Sequence, residues 1–145
     1  MEALVETRSL TKQFSQGFFS SQTNTALNDV SIRIEPGETV GLVGESGSGK
    51  STLALSIARL LNVDSGHIFF DGNEITHLST RKMRPLRKEL QFVFQDPYSS
   101  LNPRMTVKGI ISEGIRLHRG LANANEIEDA IANALTTVGL DKDSM

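Results

Sequence analysis

The sequence contains no cysteine, which excludes a disulfide framework, a thiolate metal site and a cysteine nucleophile, and fits a reducing compartment. Neither sign of charge is in excess: fifteen Lys plus Arg stand against seventeen Asp plus Glu, for a formal net charge of -2. No global basic field is available to hold nucleic acid, so any phosphate chemistry must be local. Long apolar runs are missing too. None approaches the roughly 20 residues of a membrane-spanning helix, and the opening MEALVETRSL lacks the basic flank and apolar core of a signal peptide. The expectation is a chain of cytosolic character. What is present is the balance of a globular domain, 38% hydrophobic and 22% charged over 145 residues, with no internal repeat.

Apolar residues alternate at Val30, Ile32 and Ile34, pause at Glu35-Pro36-Gly37-Glu38, and resume as Thr39-Val40-Gly41-Leu42-Val43. That pattern predicts strand, tight turn, strand, the second covered on both faces because it is almost continuously apolar. Before it, an edge strand near Leu4 to Arg8 is expected to lead into a polar loop from Leu10 to Ala26 carrying Phe14, Phe18 and Phe19. Ser51 to Leu61 predicts a helix buried on most faces. His67 to Phe70 reads as a short strand entering an Asp71-Gly72 turn, and Ser79 as the cap of a short basic helix holding Pro85. A strand over Leu90 to Phe94 precedes a segment from Gln95 to Pro103. Two helices follow: one shows a face of Val107, Ile110, Ile111 and Gly114 with Thr106 as cap, the other a face of Ile127, Ile131, Leu135 and Val138. Asn125 with Glu128 suggests a capping box, and Gly139 a stop.

The segment Gly44-Glu45-Ser46-Gly47-Ser48-Gly49-Lys50-Ser51 fits G-x-x-x-x-G-K-[ST] without mismatch, directly after an apolar predicted strand and before a predicted helix. Glycines let successive backbone N–H groups turn inward around a phosphate, and the positive end of the following helix faces the same anion. Lys50 would reach the β- and γ-phosphates as a mobile cation, and the Ser51 hydroxyl would ligate Mg²⁺. The loop from Gly44 to Thr52 is therefore the expected nucleotide cradle, with Glu45 as loop filler rather than a general base. A dinucleotide-binding loop fits less well, because GSGKST has Thr52 where a third glycine is required.

Together with GLVGESGSGKST, the run FVFQDPYSSLNPRMTV over residues 92–107 resembles the ATP-binding subunits of ABC transporters, within the peptide-importer branch that handles dipeptides, oligopeptides, nickel, glutathione and microcin C. The resemblance extends from about Leu10 to Leu140. It implies an α/β fold of the P-loop NTPase, ABC ATPase type, with an antiparallel β region and the start of a helical subdomain. Residues 1–103 would be the ATP-binding core and 104–145 the start of that subdomain. It implies that Gln95 is the Q-loop glutamine, joining Mg²⁺ and the attacking water, and that Phe14 stacks on adenine, with Phe18 and Phe19 as rivals. ATP and Mg²⁺ are the implied cofactors. The implied partners are transmembrane permease subunits, a second ABC ATPase domain and, indirectly, a substrate-binding protein, at the cytoplasmic face of the inner or plasma membrane; nucleic acid is not among them.

The LSGGQ-type signature, the apolar strand ending in Asp-Glu and the switch histidine of that family do not occur in these residues. The expectation is therefore a truncated front portion of such a domain, unable to hydrolyse ATP alone. Two alternatives stay open: a stand-alone P-loop kinase of small metabolites, for which Asp96 after the apolar FVF run is the attraction, and a nucleotide-binding module without hydrolysis. The basic run Arg81, Lys82, Arg84, Arg87 and Lys88 reads as a solvated helix face, and His67, His77 and His118 are too scattered for a metal site.

Overall fold

The alternation at Val30, Ile32 and Ile34 becomes the half-buried face of a strand, β2 (Thr23–Ile34), which runs antiparallel to β1 (Val5–Ser15) with Val5 opposite Ile34 and Leu10 opposite Val30. The computed structural model describes residues 2–15, 23–96, 100–119 and 123–141. These fall into two units, Met1–Gln91 and Phe92–Met145.

In the first unit β1 also pairs antiparallel with β3 (Ser65–Phe70), and β3 turns into the two-residue β4 (Asn73–Glu74), giving the sheet order β2-β1-β3-β4. The hairpin turn is Asp71-Gly72, both at positive φ (47° and 71°), the geometry that favours Asp-Gly between strands. β1 is thus an interior strand rather than an edge, and it continues to Ser15 through residues expected to form a loop. The physical reason is a set of three register shifts, between Thr7 and Leu10, between Leu10 and Lys12 and between Lys12 and Gln13, with Ser9 and Asp29 at φ 52° and 55°. Such bulges break the period-two pattern by which a strand is recognised. Phe14 consequently lies in β1, opposite Asn24, while Phe18 and Phe19 fall outside the described residues.

Helix α1 (Lys50–Ile57) buries Leu53 and Ser56 and stops earlier than its apolar sequence suggests, because Arg59 takes a left-handed conformation (φ 52°) and the N–H groups of Leu60 and Leu61 both return to the Leu55 carbonyl. Helix α2 (Thr80–Leu86) follows Ser79, whose side chain makes no cap hydrogen bond, and buries Met83. Leu10, Leu27, Leu53, Ile68, Phe70, Ile75 and Met83 are core members shared by sheet and helices. Each such side chain contributes about 1.5–3 kcal/mol by leaving water.

Two predicted strands are not formed among the described residues. The turn at Glu35–Glu38 closes as expected, with the Glu38 N–H on the Glu35 carbonyl at 3.1 Å, but Thr39–Val43 then runs without a strand ladder and leaves Val43 97% exposed. Leu90–Phe94 likewise carries no ladder, and Val93 is 87% exposed. Apolarity makes a segment suitable for a covered strand, whereas the strand itself exists only when a neighbour supplies backbone partners.

The second unit holds α3 (Val107–Arg119) and α4 (Ala124–Thr137), with Ile127, Ile131 and Leu135 buried against Ile111 and Ile115. Thr106 caps α3, its Oγ1 accepting from the Gly109 N–H at 3.1 Å. The cap of α4 is Asn123 rather than the expected Asn125: its Oδ1 accepts from the Asn125 N–H at 3.0 Å. Gly139, at φ 77°, follows the last turn of α4, and Val138 beside it is exposed instead of joining the core. No helix of the described residues is long and apolar enough to cross a membrane.

Candidate phosphate-binding site

The loop from Gly44 to Gly49 is seated on β2. A Cβ at Gly49 would fall 2.4 Å from the Ala26 carbonyl oxygen and 3.4 Å from the Leu27 side chain, and Gly49 adopts φ 90°, so both space and backbone demand glycine there. Leu27, part of this contact, and Leu53 of α1 are both buried members of the same core cluster, which anchors the loop's end. The G-x-x-x-x-G-K-[ST] pattern marks the glycine, whereas Ala26 and Leu27 come from a strand more than twenty residues away and leave no local signal.

Lys50, the first residue of α1, turns its ammonium back over the loop. Its Nζ donates to the carbonyl oxygens of Gly44 (2.8 Å) and Glu45 (2.7 Å) and to Ser48 Oγ (3.2 Å). The loop is further closed by the Ser48 N–H on the Glu45 carbonyl at 3.2 Å. The first helical hydrogen bond runs from Leu53 N to Gly49 O at 2.8 Å, and the N–H groups of Lys50, Ser51 and Thr52 have no protein acceptor among the described residues. No acidic residue lies in the first turn. Three free donors, the positive end of a helix dipole and the Lys50 ammonium therefore belong to one exposed loop and first helical turn, an arrangement suited to a polyphosphate. Ser51 presents an exposed hydroxyl on that turn, while Glu45, Ser46, Gly47 and Ser48 are exposed along the loop.

Phe14 is 40% exposed, with Lys12 Nζ 5.5 Å from its ring centroid. Asp64 holds this end of β1: Oδ1 accepts from Lys12 Nζ at 2.8 Å and Oδ2 from the Gln13 N–H at 2.6 Å. The Lys12 hydrogen bond, followed by that from Gln13, keeps the Asp64 carboxyl below its ordinary pKa. Gln95 is exposed and lies in the second unit, so it is described apart from the Lys50 cradle. The segment at 97–99 lies outside the described residues. Among the described residues no cluster of His, Cys, Asp and Glu could hold a metal.

The fold and the loop define an α/β P-loop cassette with an antiparallel β region. The family model described as "ABC transporter" matches residues 27–145, and the chain belongs to the ABC transporter family. It is 40% identical over 142 residues to the oligopeptide transport ATP-binding protein OppF of Streptococcus mutans, covering 98% of this chain and 46% of that protein. It is 49% identical over 116 residues to the peptidoglycan transport ATP-binding protein YejF of Agrobacterium fabrum, covering 80% of this chain and 21% of that protein. Among solved structures, the dimeric post-hydrolysis state of the ATP-binding cassette MJ0796 bound to ADP and Pi superposes with a TM-score of 0.78 at 27% identity, over 94% of this chain and 58% of that one. The chain thus spans less than half the length of these curated relatives. This membership decides against the stand-alone kinase.

Proposed function

We propose that the Gly44–Thr52 loop binds the polyphosphate of ATP with Mg²⁺, and that in a protein of the relatives' full length ATP hydrolysis energises import of peptides or peptide-like substrates. The observation that carries this reading is the combination of the Lys50 ammonium, the free N–H groups of Lys50, Ser51 and Thr52, and the Gly49 contact with β2. Lys50 already engages two carbonyls and a hydroxyl, so the ammonium is held at the loop's mouth and needs only a small swing to reach an anion. Ser51 would hold Mg²⁺ through its hydroxyl oxygen, Gln95 would act in the complete protein as the Q-loop glutamine, and Phe14 would stack on the adenine ring. When bound, the metal supplies charge neutralisation between phosphate oxygens.

The oligopeptide and peptidoglycan transport assignments of the relatives support peptide-like cargo, and the dimeric cassette supports a second ATPase domain as partner. Transmembrane permease subunits are the further partners, with a substrate-binding protein acting through them, and the location is peripheral, at the cytoplasmic face of the membrane. Residues 1–103 serve as nucleotide core and 104–145 begin the helical subdomain. Titration of the 145-residue chain with a fluorescent ATP analogue, with and without Mg²⁺, tests the reading; binding that does not depend on Lys50 would refute it.

A further inference from the structure

Helix α1 has no basic residue in its last turn, yet the Arg87 guanidinium meets its carbonyl end, with the Arg59 side chain near it. Arg87, which closes α2, donates through Nη1 to the Ala58 carbonyl and through Nη2 to the Arg59 carbonyl at 2.9 Å. Arg59 donates through Nε to the Ile75 carbonyl (2.9 Å) and through Nη1 to Asn62 Oδ1 (2.9 Å). Neither guanidinium has a carboxylate partner among the described residues. Burial, and then the neighbouring Arg87 charge, push the pKa of Arg59 down. Two half-buried like charges without a counter-ion are unfavourable unless something negative faces them. Here that something is the negative end of α1. Eight residues make a helix of about 12 Å, so the opposite, amide end lies close enough to feel this charge through protein rather than through bulk solvent.

We propose that Arg87 is a positioning residue of the phosphate site: it neutralises the carbonyl end of α1 and ties that helix to α2, which leaves the amide end of α1 a firmer and more positive seat for a nucleotide's phosphates. The proposal rests on the phosphate-binding reading of the Gly44–Thr52 loop. Lys50 touches the anion, and Arg87 acts through the helix between them. The arrangement also means that the residue closing α2, eight positions before Gln95 in sequence, helps fix the helix that carries Lys50.

The test uses the 145-residue chain with Arg87→Lys and Arg87→Gln. Both variants lose the two-pronged guanidinium and both should unfold at lower urea concentration. Lys keeps the charge, so binding of tripolyphosphate, read by displacement of a fluorescent ATP analogue at low salt, should stay within about twofold of wild type. Gln removes the charge and should weaken binding about threefold to fivefold. Equal affinities for the two variants, or affinities that merely follow the urea midpoints, overturn the proposal. Arg59→Gln, which removes the other cation at the same helix end, carries the same expectation if Arg87→Gln does not fold. Wild-type binding that is indifferent to Lys50→Ala would sink the phosphate reading and this proposal with it, whereas Lys50-dependent binding unaffected by either Arg87 variant sinks the proposal alone.

Discussion

The Nζ of Lys50 lies 2.7 Å from the Glu45 carbonyl oxygen, so the cation of the loop is folded onto the loop's own backbone. Its other acceptors are the Gly44 carbonyl and Ser48 Oγ, and an incoming phosphate competes with all three. Lys50→Ala removes a charge-assisted contact and should weaken binding of an ATP analogue tenfold or more, about 1.5–3 kcal/mol. Fluorescence titration measures it, with the urea midpoint showing that the variant is folded.

Gln95 belongs to a step later than binding. In the complete transporter, Gln95→Ala should reduce transport and transport-stimulated ATP hydrolysis more than it reduces ATP affinity, because its proposed contact with the metal and the attacking water strengthens only when the site closes. Steady-state hydrolysis and equilibrium binding on the same preparation check this. Equal losses in the two would assign Gln95 a structural role.

Asp64 gives the β1 end a pH dependence whose sign follows from its depressed pKa. A carboxyl that is more acidic folded than unfolded contributes stability that is fully present above its ordinary value near 3.8 and is lost as pH falls through the lower folded value. Unfolding free energy of the wild type should therefore decline below about pH 4, and Asp64→Asn should flatten part of that decline while lowering stability slightly at neutral pH. The carboxylate is nearly half exposed, which keeps the effect small. Urea titrations between neutral pH and acid, on both chains, make the comparison.

Ser56 is fully buried in α1 and its Oγ has no hydrogen-bond partner among the described residues. A buried unpartnered hydroxyl costs free energy, so Ser56→Ala should be neutral or stabilising by up to about 1 kcal/mol. A clear loss of stability, read from the urea midpoint, would mean that the hydroxyl is bound by something in solution.

The difference between what was legible in the sequence and what was not follows the range of the interactions. The Gly44–Thr52 loop could be read because its backbone donors, cation and hydroxyl come from nine consecutive residues. The Asp71-Gly72 turn and the Thr106 cap are equally local. Beyond Leu10 the bulges of β1 hide its alternation, and nothing local records that β3 pairs on its other side. Arg87 reads as one more cation in a basic run until the fold brings it to the carbonyls of Ala58 and Arg59, nearly thirty residues away. Thr39–Val43 failed in the opposite sense: the sequence states what a covered strand is made of, and a ladder needs a neighbour that the described residues do not provide.

That uncovered segment leads to the last prediction. Val40, Leu42 and Val43 are exposed in the first unit, and no backbone–backbone hydrogen bond joins residues 39–43 to other described residues. An apolar, β-branched stretch with free N–H and C=O groups is a template for pairing with another copy of itself. The 145-residue chain should therefore self-associate as its concentration rises, and Val43→Lys should suppress this by placing a charge where the side chain is almost wholly exposed. In a chain of the relatives' full length, where the sequence pattern predicts that the segment is a strand covered on both faces, the same substitution should instead bury a lysine and destabilise the domain by several kcal/mol. Size-exclusion chromatography over a range of concentrations reads the first effect, and urea denaturation of the longer chain reads the second. A monomeric 145-residue chain, or a longer one indifferent to Val43→Lys, would show that this run is a surface segment and not an unpaired strand of the sheet.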